Sequence, residues 1–60
     1  MPVKIIIVED EAILADNCKR MLTGFGYNVT GMAGNKSDAI ELFRKAEFDI
    51  AILDIILQTG

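Results

Sequence analysis

Apolar positions along this chain arrive in two rhythms. Val3 to Val8, reading VKIIIV, is short, β-branched and almost continuously apolar, the pattern of a strand covered on both faces. From about Glu11 to Thr23 the rhythm becomes helical, with Leu14, Cys18, Met21, Leu22 and Phe25 recurring along one face. Asp10 suits the N-cap of that helix, and Gly24 or Gly26 its end. Tyr27 to Ala33, YNVTGMA, alternates imperfectly around a glycine and reads as a weaker edge strand. GNKSD then turns into a second helix, capped by Asn35 or Ser37, with Ala39, Ile40, Phe43 and Ala46 as its apolar face and Leu42 widening it. Asp49 to about Ile55 makes a third strand, whose apolar run from Ile50 to Leu53 ends in the acid Asp54.

Strands alternating with helices imply an α/β fold with a parallel sheet and right-handed crossovers. A reversal of winding direction puts the first strand in the middle, flanked by the second and third, with one helix on each face. The expected element order is β-α-β-α-β; strand order 2-1-3 follows if the winding reverses, which patterning alone leaves open. Cys18, Met21, Phe25 and Phe43 are expected in the core. Lys19, Arg20, Arg44 and Lys45 are expected on solvated helix faces or near helix C-termini, where cations are favoured. Met32 is expected on the edge strand.

Composition narrows this picture. With 60 residues the chain is one small domain, and 52% of it is hydrophobic against 25% charged. Ordering so short a chain costs roughly 1.5 kcal/mol per residue, which leaves little margin and makes self-association expected. One cysteine and no histidine exclude a CxxC pair or a Cys/His zinc cluster, and a lone thiol suits a reducing cytosol. The net charge is −3 and the pI about 4.6, with Lys and Arg dispersed, so no nucleic-acid partner is expected. No apolar run approaches the ~20 residues of a membrane span, and the N-terminus does not read as a signal peptide. A cytoplasmic protein is expected. No GxGxxG or P-loop follows the first strand, which argues against a nucleotide-binding half-domain.

The candidate chemistry lies in the acids. If the first and third strands are neighbours running the same way, Glu9 and Asp10 leave one strand end beside Asp54 at the other. In open α/β sheets that edge is where ligands bind. Crowded carboxylates repel, so a divalent cation or a shared proton is needed, and an oxygen-only donor set favours Mg²⁺, or else Mn²⁺ or Ca²⁺, over zinc. Glu9, Asp10 and Glu11 equally suit the positive end of a helix dipole, so that cluster alone supports either role. Asp54 interrupts an otherwise apolar run, IAILDIIL, and weighs toward function.

KIIIVEDEAILA resembles the first strand and acidic pair of the receiver domain of bacterial two-component response regulators. GYNVTGMAGNKSDAIELFRKAEFDIAILDIIL is similar to that family's second strand, second helix and third strand, ending in its phosphoacceptor aspartate. The resemblance implies a flavodoxin-like doubly wound sheet, an order of which this family is itself a standing example. It implies that residues 1–60 are the N-terminal half of a receiver domain. Asp54 would take a phosphoryl group from a histidine kinase, a phosphotransfer protein or a small phosphodonor. Glu9, Asp10 and Asp54, with the backbone carbonyl of Ile56, would hold Mg²⁺. Such a module takes part in a phosphorelay and is not expected to be an enzyme.

The sequence departs from the family in LQTG, which stands where a proline is common. A receiver is also about twice this length. The family's Ser or Thr after strand four and Lys after strand five are therefore expected to be missing, and the isolated chain to be weak or inactive in phosphotransfer. The third strand would then present an apolar, uncharged edge. Third strands pairing across a two-fold axis into one continuous sheet, a closed dimer, is the expected outcome. A truncated or engineered half-domain whose only activity is this assembly is the alternative function.

Overall fold

A computed structural model describes residues 2–54. Within them the order is β1 (Lys4–Glu9), α1 (Ala12–Gly24), β2 (Asn28–Ala33), α2 (Lys36–Lys45) and β3 (Ile50–Asp54). The strands form one sheet in the order β2-β1-β3, with both pairings parallel. The expected fold and strand order are those observed.

The near-continuous apolar run of β1 marks its central position, with Ile5, Ile6, Ile7 and Val8 all buried. Ile5 and Ile7 pack with Leu22 of α1, joined by Val3, Cys18, Val29 and Ile52. Val8 packs with Ala33 and with Ala39 of α2, joined by Leu42. Alternate residues of one strand therefore serve two helices on opposite faces.

A bulge in β2 tunes this two-sided arrangement. The β1–β2 register runs Ile5↔Val29 and then Ile6↔Gly31, so Thr30 is the extra residue. The shift lets Val29 join the α1-side cluster while Gly31 meets α2 on the other face. A β-carbon at position 31 would collide with the Leu42 side chain, so glycine here permits the helix to lie close. Thr30 Oγ1 donates to the Glu47 carbonyl at 2.8 Å and ties the bulge to the segment after α2.

The end of the sheet at the start of β1 is clasped by hydrogen bonds. Asn28 N–H donates to the Val3 carbonyl at 2.9 Å, and Asp49 N–H to the Lys4 carbonyl at 2.7 Å. Asp49 Oδ2 accepts from Lys4 N–H at 2.8 Å, and Lys4 Nζ pairs with Glu47 Oε2 at 2.6 Å.

Helix ends follow local chemistry. Gly26, at φ 94, closes α1: its N–H donates to the Thr23 carbonyl at 3.0 Å and that of Tyr27 to Leu22 at 3.1 Å. Asn35 caps α2, its Oδ1 accepting from Asp38 N–H at 2.8 Å and its Nδ2 donating to Asp38 Oδ2 at 3.0 Å. The sequence pattern predicts Asp10 as the N-cap of α1, but the structure places Asp10 one residue before that cap. Strand β1 continues to Glu9, Asp10 forms a bend, and Glu11 takes the cap position with no side-chain cap bond.

Three residues expected in the core are exposed instead: Met21, Phe25 and Phe43. Helix α1 lays Ala15 and Leu22 on the sheet, which turns Met21 toward the β3 flank, and Phe25 lies in the cap. Helix α2 uses Ala39 and Leu42, leaving Ile40 and Phe43 outward, where the Phe43 ring meets Phe48 with centroids 5.9 Å apart. Cys18 is half-buried against the α1-side cluster, and Met32 is exposed. Helix α1 packs on β1 and β2, and α2 on β2; neither packs broadly over β3 among the described residues.

Candidate functional site at the acidic end of the sheet

The β1–β3 register is unbroken from Ile5↔Ile50 to Glu9↔Asp54, so the final pair sets one carboxylate directly beside another. Glu9 shares the parity of Ile5 and Ile7, and Asp54 that of Ile52, which places both acids on the α1 side. There they line a cavity of about 300 Å³ with Ile7, Leu14, Asn17, Cys18, Met21 and Ile52. A smaller cavity of about 200 Å³ opens on the other side of Glu9, against Ala12, Ala15, Met32, Ala33 and Gly34.

Glu9 is the buried acid, only 6% exposed, while Asp10 and Asp54 are exposed. Its Oε1 accepts from Glu11 N–H at 3.0 Å, which lowers its pKa. Burial and the neighbouring carboxyls of Asp10 and Asp54 push the other way and prevail, so Glu9 is raised above its ordinary value. Negative charge on Glu9 is therefore costly in this neighbourhood.

Of the residues singled out from the sequence, Glu9 and Asp54 are brought together as strand partners, and Asp10 stands next to them in the bend after β1. Ile56 lies outside the described residues. Asn17 was not singled out. It lies one helical turn from Ile13 and Met21, beside the apolar stripe, so helical spacing alone could have placed it over the acidic edge.

Among the described residues no three His, Cys, Asp or Glu side chains gather closely enough to make a metal cage of their own. Mg²⁺ asks for less, using one or two carboxylates while keeping several waters. The oxygen-only donors Glu9, Asp10 and Asp54, with the raised Glu9, fit that ion better than zinc. Among the described residues no helix is long and apolar enough to cross a membrane.

The family model for the response regulator receiver domain matches residues 5–60. The transcriptional regulatory protein PdtaR of Mycobacterium tuberculosis is 34% identical over 55 residues, covering 92% of this chain and 27% of its own. The probable transcriptional regulatory protein TcrX of the same organism is 38% identical over 56 residues, covering 93% of this chain and 24% of its own. The chemotaxis protein CheY of Thermotoga maritima is 33% identical over 54 residues, covering 90% and 45%. The chain thus spans from about a quarter to less than half the length of these curated relatives. No solved structure matches it significantly. The topology is that of the first half of a flavodoxin-like receiver, and with the family match it establishes that this chain belongs to the response regulator receiver domain family.

Proposed function

We propose that Asp54 is the phosphoacceptor of a two-component signalling module. The observation that carries this reading is the Glu9↔Asp54 pairing, which sets an exposed carboxylate at the end of a strand beside a buried acid with a raised pKa. An Asp54 carboxylate oxygen forms a bond to phosphorus as the phosphorus–nitrogen bond of a donor phosphohistidine breaks. The electron pair returns to the imidazole, which takes up a proton from solvent. A small acyl phosphate serves as donor in the same way, with its carboxylate as leaving group.

Glu9, Asp10 and Asp54 would hold Mg²⁺ directly or through water. When bound, the ion supplies the positive charge that offsets both the clustered carboxylates and the incoming phosphoryl oxygens. The residues themselves orient and space the reacting groups. Glu9, fixed by the Glu11 N–H, holds one side of the acidic edge, and the exposed Asp54 is free to attack. A histidine kinase or phosphotransfer protein is the protein partner that fits this chemistry.

The test is mass spectrometry after incubation with acetyl phosphate and Mg²⁺. The expected result is a slow, partial gain of one phosphoryl group, in keeping with a weak isolated chain, that disappears in Asp54→Asn and on chelation of the metal. An adduct that survives Asp54→Asn would refute the assignment. The absence of any adduct would instead favour a second reading, assembly alone with an idle acidic edge.

A further inference from the structure

We draw no further inference here: the strongest candidate, the cavity of about 200 Å³ between the first turns of α1 and the β2–α2 turn, has as its one charged group the Glu9 of the site already described, and nothing in the structure shows what fills it.

Discussion

Glu9 couples the acidic edge to pH. Its pKa is raised in the fold, so the native state holds that proton more tightly than the unfolded chain does. Its contribution to stability is therefore complete below the unfolded value of about 4.5 and is lost as pH rises through the raised folded value. Glu9→Gln, which keeps the oxygen that accepts from Glu11 N–H, is expected to remove that loss. Urea melts from acidic to neutral pH should show a flatter profile than the parent. Millimolar Mg²⁺ should stabilise the parent at neutral pH and the variant much less. Glu47 runs in the opposite sense: Lys4 holds its carboxyl below the ordinary value, so its contribution is present above that value and lost on acidification.

At the scale of elements, each helix end and the β2 bulge depend on one residue. Asn35→Ala removes the bond to Asp38 N–H and is expected to cost about 1 kcal/mol. Gly26→Ala forces a β-carbon into the left-handed region, a cost of about 1–2 kcal/mol. Gly31→Val drives the Leu42 side chain off the Val8–Ala33–Ala39 cluster and should cost about 1–3 kcal/mol. Combining it with Leu42→Ala should cost less than the sum, which a double-mutant cycle in denaturant would measure.

The elements were legible because their patterns differ in period: the VKIIIV run has no polar face, and the α1 stripe has one. That Glu9 and Asp54 are neighbours was legible only once a reversal of winding was assumed, since right-handed crossovers alone also permit the order 1-2-3, and the family resemblance supplied that reversal. What the pattern could not supply was which apolar side chains find cover. Met21 lies on the same stripe as Leu22, yet one is exposed and the other buried, because α1 leans over β2 and away from β3. Periodicity reports the face of a helix, whereas burial depends on what lies beneath it. The Asp10 cap was misplaced for a related reason: the pairing with β3 keeps β1 extended through Glu9 and delays the helix start.

The clasp around Lys4 has a consequence for how this chain tolerates change. Val3, Lys4, Asn28 and Asp49 fasten the three strands at one pole, and the acids proposed as the site occupy the other. Drift in the acids can thus alter reactivity without loosening the fastening, and repairs to the fastening can strengthen the scaffold without touching the chemistry. Such a division lets selection adjust durability and signalling separately, and a library randomised at one pole should vary mainly in the trait belonging to that pole.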